Sequence, residues 1–159
     1  MSHLLGNRLQ GVSIEWLHRG GAGITFAETN THRARGHLLV VLMLGGNDIA
    51  NGMSPEELSE RIRRVVDRLL QEGPHCVIVP SIWPRQDGSF NNQIRRYADI
   101  MESRHHSDPV LTFWRWDNRQ SWRTYDGVHL QQRGYERAIR TLVAMIVWAI
   151  HHNQWQCYY

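Results

Sequence analysis

Asp126 and His129 stand three residues apart in the segment Tyr125-Asp-Gly-Val-His-Leu130. Across one turn of backbone that spacing lets a carboxylate reach an imidazole. The carboxylate then fixes the ring tautomer and stabilises the imidazolium, so that the second ring nitrogen serves as general base. A simpler reading makes Asp126 the cap of a helix N-terminus, with His129 incidental. The other polar group of interest is Asn47, in Leu44-Gly-Gly-Asn-Asp48. An amide delivered to the end of a buried strand is suited to hold a developing oxyanion. Gly45 and Gly46 allow a tight turn and close approach of the backbone to a ligand. Gly-Gly-Asn-Asp is also good turn chemistry in its own right. Asp48 has a plainer expected role, support of this loop.

These groups need elements to position them. The uncharged run Leu38 to Leu44 reads as a strand buried on both faces, at the centre of a parallel sheet. Asn47 then lies at the carboxyl end of that strand, where open α/β sheets bind their ligands. Ser54-Pro55-Glu56-Glu57 predicts a helix start, with Ser54 as cap, Pro55 in the first turn and Glu57 completing a capping box. Leu58, Ile62, Val65, Val66, Leu69 and Leu70 repeat at helical spacing until Gly73-Pro74. His75 to Val79 predicts a second strand, Asn92 to Ser103 a helix, and Val110 to Phe113 a third strand. A long helix is expected from about Gln131 to Ile150. Upstream, Met1 to Leu9 reads as a helix, and Val12 to Leu17 as a strand closed by Arg19-Gly20-Gly21-Ala22-Gly23. Residues 24–36 read as a loop with a short helix. Strands alternating with helices imply right-handed crossovers and a parallel sheet covered on both faces. The chain opens on a helix, whereas a doubly wound sheet ordinarily begins with its middle strand.

Composition narrows the function classes. The chain has 159 residues, 42% hydrophobic, with seven Trp, which fits one globular domain over residues 1–159 and excludes a disordered one. The formal charge is +3, and all 18 basic residues are Arg. Arginine recognises phosphate and carboxylate with two hydrogen bonds, so nucleic acid stands as an alternative partner. The arginines are scattered, however, and several belong to solvated helix faces. Cys76 and Cys157 are too few for a disulfide framework and have no zinc spacing. The pairs His105-His106 and His151-His152 are adjacent, a poor arrangement for sharing one ion. No metal and no cofactor are expected. The N-terminus lacks a signal-peptide pattern, and the apolar run Leu142 to Ile150 is too short for a bilayer. The default compartment is the cytoplasm, with no membrane partner, and nothing in the composition specifies an oligomer. Trp114, Trp116, Trp122 and Tyr125 crowd the loop before Asp126 and are expected to wall an acyl or sugar pocket, with cover of the sheet rim as the other reading.

Taken in order, a glycine-rich turn, Gly45-Gly-Asn-Asp48 after a buried strand, and Asp126-Gly-Val-His129 before the last helix resemble the SGNH hydrolase (GDSL-type esterase) superfamily. The resemblance runs from Val12 onward. It implies a flavodoxin-like three-layer α/β/α sandwich with a parallel sheet. His129 matches that family's general base and Asp126 its orienting partner. Asn47 matches the oxyanion-hole side chain, and Gly20 or Gly21 the backbone donor. The implied reaction is hydrolysis of a small-molecule carboxylic ester in two steps: a serine attacks the carbonyl to form an acyl-enzyme, and water activated by the same histidine releases it. The family's opening block, a strand ending in Gly-Asp-Ser, is absent here, so the sandwich is expected without its first strand. Ser2 is the only nearby serine, and no strand or glycine turn precedes it. The chain therefore reads as an N-terminally shortened member with impaired catalysis. The alternative is a pseudo-enzyme, a binding module on the same fold.

Overall fold

The structure, a computed structural model, describes residues 13–107, 111–116 and 126–152. The element order is helix α1 (Ile24–Asn30), a 3-10 turn (Thr31–Ala34), strand β1 (Leu39–Val41), short helix α2 (Gly46–Ala50), helix α3 (Pro55–Gln71), strand β2 (Cys76–Pro80), helix α4 (Gly88–Ser107), strand β3 (Leu111–Trp114) and helix α5 (Gln132–His152). The expected helix over Met1 to Leu9, together with Ser2, Trp122, Tyr125 and Cys157, lies outside the described residues.

The three strands form a parallel sheet in the order β1-β2-β3. Each crossover contains a helix, and two crossovers of one hand in one direction across a sheet place their helices on the same face. Side chains follow that arrangement with a period of two. Val77 and Val79 of β2 join Leu58, Ile62, Val65 and Val66 of α3 and Ile94, Tyr97 and Met101 of α4 in one apolar cluster. Cys76 and Ile78 point the other way and meet Ala138, Ile139, Leu142, Met145 and Ala149 of α5. The result is three layers, with apolar packing on both faces of the sheet.

The start of α3 follows its sequence signal. The Ser54 side chain accepts from the Glu57 backbone N–H at 3.1 Å, with Pro55 in the first turn, an arrangement worth about 1 kcal/mol. The helix after β2 begins earlier than the apolar spacing suggests. Asp87 Oδ1 accepts from the N–H groups of Ser89 and Phe90, at 2.8 and 3.1 Å, and so starts α4 at Gly88.

Two expectations need correction. The run Leu38 to Leu44 forms only a three-residue strand with half-buried side chains, and it is an edge of the described sheet rather than its centre. β2 is the central strand, and all five of its residues are buried. Hydrophobicity alone cannot distinguish the two, because an apolar run is covered only where the sheet continues on both sides of it. Among the described residues nothing pairs with the outer edge of β1. The second correction concerns residues 13–17, which have no strand pairing. Ile14 instead packs against the α5 side of the sheet, and Glu15 pairs with Arg33 and His37.

No helix among the described residues is long and apolar enough to cross a membrane.

Candidate functional site

All three strands run in the same direction, so their carboxyl ends share one rim. The segments leaving that rim are Gly45 to Asp48 after β1, Ser81 to Arg85 after β2, and the chain that leads from β3 to Asp126.

At Asp126 the backbone makes a bend that Gly127 permits with φ +83°. One oxygen of the carboxylate accepts from the N–H groups of Val128 and His129, at 2.9 and 2.6 Å. The other oxygen lies 2.5 Å from His129 Nδ1. The two readings of this motif thus coexist, since Asp126 ties the turn and orients the ring together. What it caps is the 126–129 turn, because α5 begins later, at Gln132. The hydrogen bond from the His129 ring is the largest influence on Asp126, and with the His129 backbone N–H it holds the carboxyl well below the usual carboxylate range. An Nδ1 engaged by carboxylate leaves proton transfer to Nε2. The turn is docked on the loop after β2, where the Gln86 N–H donates to the Gly127 carbonyl at 3.0 Å.

Asn47 lies in the first turn of α2. Gly45, the residue before that helix, has φ +105°. A Cβ there would stand 2.9 Å from Leu58 Cδ2 and 3.1 Å from Ile82 Cδ1, so both conformation and space require glycine. Asn47 Nδ2 donates one proton to the Ala22 carbonyl at 3.1 Å, and an amide nitrogen carries a second. Asp48 accepts from the Ile24 N–H with both oxygens, each at 3.0 Å, which is the supporting role expected of it. A Cβ on Gly23 would fall 2.3 Å from Asp48 Oδ1. These contacts clamp the Gly20 to Gly23 turn against the Gly45 to Asp48 turn, and place Asn47 beside the turn that holds Gly20 and Gly21. Gly20 and Gly21 are exposed, and Gly21 has φ +70°.

A hollow of about 220 Å³ joins the two halves of the site. Ile49 and Ala50 of α2 line it on one side and Gly127 and Val128 of the Asp-His turn on another, with Arg85 and Phe90 between them. Asn47 and His129 are each within two residues of this lining without forming it. Arg85 gave no signal in the sequence, where it is one arginine among many; its significance depends on which long-range neighbours surround it.

Of the loop aromatics, Trp114 and Trp116 take the sheet-covering reading rather than the pocket one, while Trp122 and Tyr125 lie outside the described residues. Trp116 is buried in the apolar cluster under α5, and its ring N–H donates to the Ser81 carbonyl. Trp114 packs edge-on against Trp148 of α5, with ring centroids 6.4 Å apart. Both cover the sheet, and neither lines the hollow.

The profile of the GDSL-like Lipase/Acylhydrolase family matches residues 1–137. No curated protein matches the chain by sequence. Among solved structures, a carbohydrate esterase family 3 protein from Talaromyces cellulolyticus superposes with a TM-score of 0.69 at 15% identity, over 91% of this chain and 78% of that one. An acetyl esterase, in a serine-to-alanine mutant form with acetate ion, gives 0.72 at 16% identity, over 91% and 75%. At these identities the likeness is one of fold.

Proposed function

Because this chain belongs to the GDSL-like lipase/acylhydrolase family, we propose that it is an esterase-type domain that hydrolyses a small carboxylic ester through an acyl-enzyme. The observation that carries this reading is the contact between Asp126 Oδ2 and His129 Nδ1, in a turn that shares a hollow with the helix bearing Asn47. In the first step His129 Nε2 takes the proton of the attacking hydroxyl while Asp126 stabilises the imidazolium. Negative charge building on the carbonyl oxygen is received by the second N–H of Asn47 and by a backbone N–H of Gly20 or Gly21. Return of the proton from His129 expels the alcohol, and water repeats the sequence on the acyl group. Ser2 is the candidate nucleophile in this reading. A hollow of about 220 Å³ is below the usual size of drug-sized ligand sites, which points to a short acyl group such as acetyl.

A nucleic-acid module on the same fold has less support. Arg33, Arg35, Arg61, Arg63, Arg96 and Arg104 each meet a carboxylate of this chain, so much of the cationic surface is already compensated. Retention on RNA or DNA with a steep salt dependence would favour that reading instead.

Hydrolysis of 4-nitrophenyl acetate by the chain and by His129→Ala tests the proposal. Turnover above that of the variant is expected, and equal rates would remove the catalytic claim. Adding an apolar strand ending in Gly-Asp-Ser upstream is expected to raise the rate sharply.

A further inference from the structure

Arg85 is held in an unusual way for a cation. Its backbone is fixed at both ends of the residue by Asn91, whose Oδ1 accepts from the Arg85 N–H at 2.9 Å and whose Nδ2 donates to the Arg85 carbonyl at 2.7 Å. Its guanidinium carbon sits 4.4 Å from the centroid of the Phe90 ring, and Phe90 is buried. Nη2 lies 3.3 Å from the place a Cβ on Gly46 would take, one residue from Asn47. The guanidinium is thus stacked on one face and abuts the backbone of the oxyanion-side turn at its tip.

The nearby acids are occupied elsewhere. Asp126 is engaged with His129 and two backbone N–H groups. Asp87, which also lines the hollow, caps α4. Among the described residues no carboxylate comes within hydrogen-bond distance of the Arg85 guanidinium, in contrast to ion-paired Arg61 and Arg96 on the surrounding helices. Burial accordingly lowers its pKa from the ordinary value, opposed only by the more distant charge of Asp126. A rigidly mounted fork of donors, half withdrawn from water and without a carboxylate partner among the described residues, matches the geometry by which arginine receives carboxylate.

We infer that Arg85 is a specificity-determining residue, which receives a free carboxylate carried by the substrate in the hollow beside Gly46 and so selects short esters bearing a carboxylate, such as monoesters of small dicarboxylic acids. The ester half of this inference rests on the esterase reading above; recognition of the carboxylate does not.

Calorimetric binding separates the two. The probes are monomethyl succinate and methyl succinamate, which have the same size and differ in one charged group. The intact chain is expected to bind the charged probe at least about tenfold more tightly, as suits a charge-assisted pair with arginine. That preference is expected to collapse in Arg85→Gln, to survive in part in Arg85→Lys, and to weaken as salt rises. Equal binding of the two probes by the intact chain, no binding of either, or equal losses for both probes in Arg85→Gln would each overturn the inference. The last result would make Arg85 a structural brace. If the charged probe binds through Arg85 and yet is hydrolysed no faster by the intact chain than by His129→Ala, the esterase reading fails while carboxylate recognition stands.

Discussion

The carboxylate of Asp126 serves backbone and imidazole together, and this economy gives the residue-scale predictions. If His129 is the proton acceptor of the proposed reaction, its replacement with alanine is expected to lower ester turnover to the solution background. Asn47→Ala is expected to lower kcat by about 10²-fold or more, the usual loss on removing one oxyanion donor, with a smaller effect on KM. Asp126 also makes a pH prediction. Its folded pKa is depressed, so whatever stability its contacts contribute is present above the unfolded carboxylate value and is lost as pH falls through the folded one. The 13Cγ resonance of Asp126 should therefore stay in its ionised position when the pH passes about 3.9, where an ordinary aspartate is half protonated. A titration step at that ordinary value would show that the His129 contact does not hold in solution.

Among the elements, the short helix α2 depends on a lock made across the chain. Gly23 lacks the Cβ that would occupy the place of Asp48 Oδ1, and Asp48 in return satisfies the first N–H of α1. Gly23→Ala is expected to expel the Asp48 carboxylate from that position and to lower stability by about 1–3 kcal/mol in urea unfolding, the cost of leaving such a polar contact broken. Since Asn47 is the neighbour of Asp48, the same variant is expected to lose kcat as well as stability. A fall in stability with kcat intact would mean that the clamp does not position Asn47. At the start of α4, Asp87 plays the corresponding part, and its signal was local: an Asp directly before Gly88-Ser89-Phe90. The apolar spacing that places the helix at Asn92 is blind to that first turn, because only Phe90 in it is buried.

For the whole molecule, packing sets the stability, and among the described residues it contains a flaw at Tyr97. The buried Tyr97 hydroxyl has no hydrogen-bond partner among the described residues, and its ring lies edge-on to Phe113 with centroids 6.1 Å apart. Burial pushes its pKa well up. Tyr97→Phe keeps the ring contact and removes the stranded hydroxyl, so a rise in unfolding free energy of about 1 kcal/mol or more is expected from urea denaturation. Among the described residues the sheet has its fully buried strand at β2 and a half-covered edge at β1. What could be read directly from the order of residues was what short-range physics encodes. The cap at Ser54, the helical stripe of α3, the parallel strands between helices and the reach of Asp126 to His129 each depend on neighbours a few positions apart. What folding alone settled depends on partners distant in the chain. Among the described residues the Leu38 to Leu44 run stands at an edge, because coverage is decided by the strands on either side, which its own composition does not contain. Trp114 and Trp116 pack with the cluster on the α5 side of the sheet, a face made by residues distant in the chain. Arg85 became distinct through Asn91, Phe90 and the close approach to Gly46, neighbours that its own position in the sequence does not reveal.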